Sequence, residues 1–422
     1  MSDQTALTTT LDARSLDRLA LTTVQDFAYL RYTERLRGSV PRVVRRIGAL
    51  GGADIAFMLD AWCDVFLALP EAAARRVVSH PFFNYYWLQL SDACLRRDHG
   101  FLSEWAHHLP RFLVIPALEQ GLPIPTPVLV PAGRPELRLP GSSAHLVFHT
   151  RAQGLRVFFD DDGDGVLRGD TVRIPGHYPK DESAGPLGSV TRVAHPTIPD
   201  TGIEIDAGDP WLARLIASMN GKPAQPGYPA PDLALMTEPG ATKIRQIGES
   251  FELIERVWPE LAAEMTTHVR LFVPYRSAFH SSFTEACMMG AVFLSEAMWP
   301  FSDIAYTAEH FLHEEAHLRL TLIEELDPLL SPAEDVTYDS PWRADPRPLS
   351  GLIQACFAFG RIAAFHRRAR EVTGESVHDK RLAETVDLLA RGMAEVESGP
   401  RIEFTEVGDQ LWSQLREEAS AR

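Results

Sequence analysis

Residues 303–326 carry apolar side chains at helical spacing. Tyr306, Phe311, Leu312, Leu318, Leu320 and Leu322 are interleaved with charged positions, and neither proline nor glycine intervenes. That pattern predicts one long helix running to about residue 325, with Ser302 or Asp303 as its cap. The N-terminal quarter reads in the same way. Over residues 15–38, Leu16, Leu19, Val24, Phe27 and Leu30 fall close to a 3.6 period. Residues 53–69 form a second expected helix, stopped by Pro70, and 82–95 a third. The aromatic run Phe82, Phe83, Tyr85, Tyr86 and Trp87 in the third reads as helix core.

Near residue 120 the pattern changes. Seven prolines between Pro116 and Pro140 exclude a continuous helix. Short β-type runs follow at 145–150, 155–159 and 171–174, separated by Gly and Asp, and predict a small antiparallel sheet. Residues 221–231 read as a Pro/Gly linker. Beyond it the expected order is helix (242–266), strand (269–273), strand (291–294) and the long helix. A proline-rich loop (328–348) and helices near 350–370, 376–396 and 405–419 complete the chain. The fold class implied is α+β, mostly helical. Its centre is a zincin-like helix–strand–strand–helix core with added helices and a small antiparallel β segment. The expected organisation is an N-terminal helical segment (1–120), a Pro-rich and β segment (121–220) and a catalytic region (221–422).

Composition narrows the function. With 45% hydrophobic and 23% charged residues the chain is globular. A net charge of −16 argues against nucleic acid as a partner and permits a neutral or cationic peptide. No window holds about 18 uninterrupted apolar residues, so no membrane span is expected. The first twenty residues are polar and do not read as a signal sequence. Cys63, Cys94, Cys287 and Cys356 form no CxxC pair and read as reduced thiols of a cytoplasmic protein.

The chemistry concentrates in His313-Glu314-Glu315-Ala316-His317, an HEXXH string inside the long helix. Residues four apart share a helix face, with Cβ atoms about 6 Å apart. Two imidazoles so placed can grip one divalent ion through bonds of about 2.0–2.1 Å. Glu314 leaves the helix about 100° from His313 and is expected beside the metal. His310 lies about 10.5 Å of helix rise before His317, too far to share the ion. Glu309, one turn before His313, is a candidate support for its ring.

A catalytic site needs a third protein ligand. A metzincin would have a histidine where Ile323 stands, and the helix at 349–370 holds no acidic residue for a gluzincin. Glu324, Glu325, Asp327, Asp339, Asp345 and His366 remain as donors. Glu324 is disfavoured by helix rise. Asp345 lies between Arg343 and Arg347, in a loop that can fold back over the site. That loop reads either as a facial-triad ligand with cations for a carboxylate, or as a solvated ion-pair loop. The acidic stretch FFDDDGDGVL places Asp160, Asp162, Asp164 and Gly165 like half a calcium loop. Thr171 stands where the closing Glu would be, so the stretch reads as a hairpin turn.

HEEAH followed by SPWRADPRPLSGLIQ and ACFAFGRIAAF, with GAVFLSEAM and AEHFLHEEAHLRL before them, resembles the HEXXH-motif peptide-modification proteins of ribosomal peptide gene clusters. The resemblance covers residues 281–365. It implies an Fe(II)/2-oxoglutarate-dependent dioxygenase that β-hydroxylates a side chain of a precursor peptide, acting alongside partner maturation enzymes. His313 and His317 would be iron ligands. Trp342, Arg343, Asp345, Arg347 and Gln354 lie in the matching second motif. Within it Asp345 is the expected third metal ligand, and Arg343, Arg347 and Gln354 the expected 2-oxoglutarate contacts, with Glu314 as the catalytic-site carboxylate. The alternative is a Zn(II) peptidase of zincin type with Glu314 as general base. A non-catalytic peptide-binding protein with a structural metal is the third reading; no cysteine lies near the motif in sequence to complete such a site.

Overall fold

Residues 22–119 keep apolar positions at helical spacing and place several of their prolines where helices begin, and they form six α-helices. These are α1 (Thr22–Gly51), α2 (Ala53–Ala68), α3 (Glu71–Val78), α4 (Pro81–Arg96), α5 (His99–Trp105) and α6 (Leu109–Glu119). The computed structural model describes residues 22–130, 135–142, 144–150, 154–179, 181, 185–224, 229–297, 300–325, 328–330, 337–399 and 402–421. Helix α1 does not stop at Gly38 as expected. It continues through Pro41 because Val40, Val44 and Ile47 keep one buried face in register. Gly52, at φ 91°, then makes the turn into α2. Phe82, Phe83, Tyr85, Tyr86 and Trp87 are core residues, as their pattern predicts.

Six short strands follow: β1 (Val128–Val130), β2 (Glu136–Arg138), β3 (Ala144–Phe148), β4 (Leu155–Phe159), β5 (Thr171–Ile174) and β6 (Val190–Ala194). They form two sheets rather than one small antiparallel sheet. The order β2-β3-β6 is antiparallel throughout, whereas in β1-β4-β5 the β4–β5 pair is parallel. The acidic stretch 160–165 is therefore part of a parallel crossover and not a hairpin. Two of its carboxylates are already paired, Asp160 with Arg173 and Asp164 with Arg168.

The third part supplies the central sheet. After β7 (Glu204–Ile205), α7 (Pro210–Asn220) and β8 (Ala234–Leu235) come α8 (Ala241–Val257) and α9 (Pro259–His268). The single helix expected over 242–266 is divided because Pro259 cannot donate to the preceding turn. Then follow β9 (Leu271–Arg276), β10 (Ser282–Phe283), β11 (Ala291–Ser295) and the motif helix α10 (Ile304–Glu324), capped by Asp303. Strand order is β10-β11-β9-β7. Strand β8 pairs with the far end of β9, β9 runs parallel to β11 and β7, and β10 is antiparallel at the edge.

Both β9 and β11 are buried on two faces. Leu271, Val273, Ala291 and Phe293 join the core built by the N-terminal helices and small sheets. Phe272, Val292 and Leu294 point into a second core with α8, α9 and α10. The residues expected to form three segments thus share cores across residues 120 and 220.

The stretch expected as a loop holds a hairpin, β12 (Thr337–Ser340) and β13 (Arg343–Pro348). Helices α11 (Leu349–Thr373), α12 (Ser376–Ser398) and α13 (Glu406–Ser420) close a third core with it. Among the described residues α11 alone is long and apolar enough to cross a membrane. It packs inside the protein, with Arg361 and His366 completely buried in polar contacts.

Candidate metal centre

Helix α10 brings His313 and His317 together on one half-buried face. Their Nε2 atoms are 3.0 Å apart and their rings nearly perpendicular, at 84°. Nδ1 of His317 lies 3.0 Å from the Gln354 side-chain oxygen on α11, and the Gln354 amide nitrogen donates to Glu324 at 3.2 Å. The amide nitrogen can only donate, so the oxygen faces the histidine and His317 must carry its proton on Nδ1. Nε2 of neutral His317 is then a bare lone pair aimed at His313. Two bonds of about 2.1 Å meeting near a right angle span about 3.0 Å, so the pair fits a single cation. Burial, then the neighbouring His317 and His310, holds His313 well below its ordinary pKa. Burial also lowers His317, against the hydrogen bond to Gln354 and with help from the Arg347 charge. Both rings are therefore uncharged near neutral pH and available as ligands.

The space around His313 is aromatic on one side. Phe359 meets the His313 ring edge-on at 5.6 Å, and Trp342 of the hairpin packs on Phe359 at 4.9 Å. On the other side β10 approaches the helix, with Ser282 Oγ 3.0 Å from Nδ1 of His310. Glu314 points toward this strand and not toward solvent. It is 2% exposed. Burial pushes its pKa to about 8 despite hydrogen bonds from Ser282 and Thr284. One of its oxygens has no hydrogen-bond partner among the described residues.

The expected third ligand is not gathered with the pair. Among the described residues no group of three or more His, Cys, Asp or Glu side chains converges as a metal site. Asp345, on β13, accepts from Arg343 at 3.0 Å and lies 3.6 Å from Arg347. Burial alone would raise its pKa, but the Arg343 hydrogen bond and the two guanidinium charges bring it below the ordinary range. Of the remaining donors, Glu325 pairs with Arg35 and His366 bonds Glu309 and His378, while Asp339 is exposed on β12, its backbone N–H donating to Glu395. Asp327 lies outside the described residues. Glu309, expected to support His313, instead bonds His366 and Arg381 at 3.0 Å each. Gln354, expected as a 2-oxoglutarate contact, bonds the His317 ring.

A buried ion network fixes how α10 is rotated. Glu315, inside the HEXXH string, accepts from Arg361 of α11 at 2.9 Å. Arg361 also bonds Glu264 of α9, which in turn pairs with Arg319 one turn along α10. Two carboxylates and two guanidiniums compensate one another, and breaking such a set costs more than making it gains. Sequence reading missed both this network and the Gln354 bond. The signal available was unusual charge on the inner face of apolar helices: Glu315 and Arg319 in α10, and Arg361 in α11.

The protein is α+β, mostly helical, with two facing histidines on its motif helix. Compared with known protein-family models and with curated proteins, the chain matches none.

Proposed function

We propose that this chain is an Fe(II)/2-oxoglutarate-dependent oxygenase that hydroxylates a side-chain β-carbon in a ribosomally made precursor peptide. The observation that carries the reading is the pair of facing imidazole nitrogens, with the far nitrogen of His317 held by Gln354. They account for two of the three protein ligands such an iron site takes. Iron and the keto acid, when bound, supply the oxidation that replaces C–H by C–OH. His313 and His317 hold the ion, Gln354 fixes the His317 tautomer, and Phe359 with Trp342 keeps water from one side of His313. Arg343 and Arg347 are suited to a carboxylate of the keto acid. Asp345, held between them on β13, would be the third protein ligand. The four thiols are free, which suits a reducing cytoplasm.

The buried Glu314 carboxyl weighs against the peptidase alternative. It accepts hydrogen bonds from Ser282 and Thr284, which tie up a side chain that a general base would need free. The zinc peptidase keeps one supporting observation: β9, β10 and β11 precede the motif helix, with antiparallel β10 on the sheet edge beside it, the order expected of a zincin-like core. Incubation with the precursor peptide separates the two. Gain of one oxygen atom that requires iron, 2-oxoglutarate and dioxygen supports the oxygenase, whereas two shorter fragments formed with zinc support the peptidase. Glu314→Gln is expected to leave substantial hydroxylation, because the amide keeps the shape of the buried side chain and an oxygen for Ser282 and Thr284. Loss of nearly all activity in that variant would mean that Glu314 is a working base.

A further inference from the structure

A cavity of about 1380 Å³ opens at the β7 and β8 side of the central sheet, away from the β10 edge that adjoins His310 and Glu314. Three interstrand steps of about 4.8 Å separate the two edges, roughly 14 Å. One wall is a face of the β2-β3-β6 sheet. Arg138, His145 and Val193 are partners in register there, so their side chains stand in one row. Helices α4, α5 and α7 form the opposite wall.

The floor is built from buried charge. Arg138 bonds Asp206 at 2.7 Å, and Arg111 pairs with Asp209. Gly208 makes this arrangement possible: a Cβ there would lie 2.3 Å from the Arg138 guanidinium. Each arginine has its carboxylate, and His145 and His195, 2.9 Å apart, are held uncharged by burial. The floor is thus polar and neutral. The rim is not. Glu104, Glu136 and Glu238 are exposed around it, Glu136 lying 3.6 Å from the Arg138 guanidinium, while the remaining guanidinium, Arg214, lies over the Phe101 and Trp105 rings. Leu129 and Val193, 38% and 39% exposed, add apolar surface to the walls.

The volume exceeds the roughly 300–1,000 Å³ of small-molecule sites, which points to a chain segment. Glu104 and Glu238, with Glu136 sharing Arg138, outweigh the Arg214 guanidinium and select a cationic segment, and the net charge of −16 draws it in. We propose that this cavity docks an extended, basic stretch of peptide. Its Lys or Arg side chains lie against Glu104 and Glu238, and an apolar side chain rests on Leu129 and Val193. The inference rests on the reading of the substrate as a peptide. It adds a second place where that peptide is held, distinct from the histidine pair.

The test uses fluorescence anisotropy with a short labelled peptide of Lys, Leu and Gly, and its counterpart with Glu for Lys. Full-length protein is expected to bind the basic peptide, less tightly as salt is raised. The His313→Ala/His317→Ala variant should bind equally well, so failure of the metal reading leaves this result standing. Glu104→Lys/Glu238→Lys should weaken binding about tenfold or more. Glu371→Lys/Glu384→Lys, equal in charge change but on the exposed surface of α11 and α12, should leave it within about twofold. The proposal is overturned by no binding, by equal binding of the acidic peptide, by equal loss in the two charge-reversal variants, or by loss in the histidine variant.

Discussion

Glu324, Gln354 and His317 form a chain of hydrogen bonds whose direction is set by the amide in the middle. Replacing Gln354 by Leu keeps the bulk and removes the acceptor, so the His317 ring loses both its orientation and its tautomer. We expect divalent-metal affinity to fall about 10- to 100-fold, read by calorimetric titration of Co(II) or Zn(II). Unchanged affinity would show that the ring is held by packing alone. A second residue-scale outcome concerns pH. Burial, aided by the Arg138 charge and the neighbouring His195, lowers folded His145 from 6.5 to about 3. Between those values the unfolded chain binds more protons, so His145 makes stability fall as pH drops below about 6.5. His145→Gln removes that dependence and keeps a polar side chain beside His195. Urea midpoints of the variant should decline less than those of the native protein from pH 6.5 toward 4; parallel declines would refute the assignment.

At the scale of elements, Gly392 seats the turn of the hairpin β12–β13. A Cβ on Gly392 of α12 would stand 2.3 Å from the Trp342 ring and 3.3 Å from the Cys356 sulfur. Gly392→Ala must push out the Trp342 ring, which packs tilted on Phe359. A loss of about 1–3 kcal/mol is expected from overpacking, with a red shift of tryptophan emission. A urea midpoint and emission spectrum identical to the native ones would mean that the contact gives way freely. Much at this scale was legible beforehand. The long helix, its Asp303 cap, both core strands and the three C-terminal helices follow the hydrophobic period closely, because each buries a continuous face. The failures have local causes. Pro259 divides a helix whose apolar pattern runs straight across it, and strands of three to five residues carry too little pattern to show which way their partners run. The histidine pair could be read because its spacing is a property of one helix. The partners of Asp345, Glu309 and Gln354 depend on how separate elements meet, and no spacing along the chain records that.

For the whole molecule, the central sheet sets the unit of folding. Alternate residues of β9 and β11 enter two different cores, Leu271, Val273, Ala291 and Phe293 on one side and Phe272, Val292 and Leu294 on the other. The first side is covered by helices and small sheets from residues before 220, and β7, also from that part, hydrogen-bonds β9 along its first half. A fragment of residues 221–422 would keep the motif helix and both histidines. It would also expose an apolar sheet face and an open strand edge, which invite association with other chains. We therefore expect the fragment to melt without a cooperative transition and to bind metal far more weakly than the full chain, although it contains every residue of the candidate centre. Thermal melts followed by near-ultraviolet circular dichroism test this directly. A sharp, reversible melt of the fragment would show that the cores fold independently, and the N-terminal half would then be an attached binding module whose removal costs the metal centre nothing.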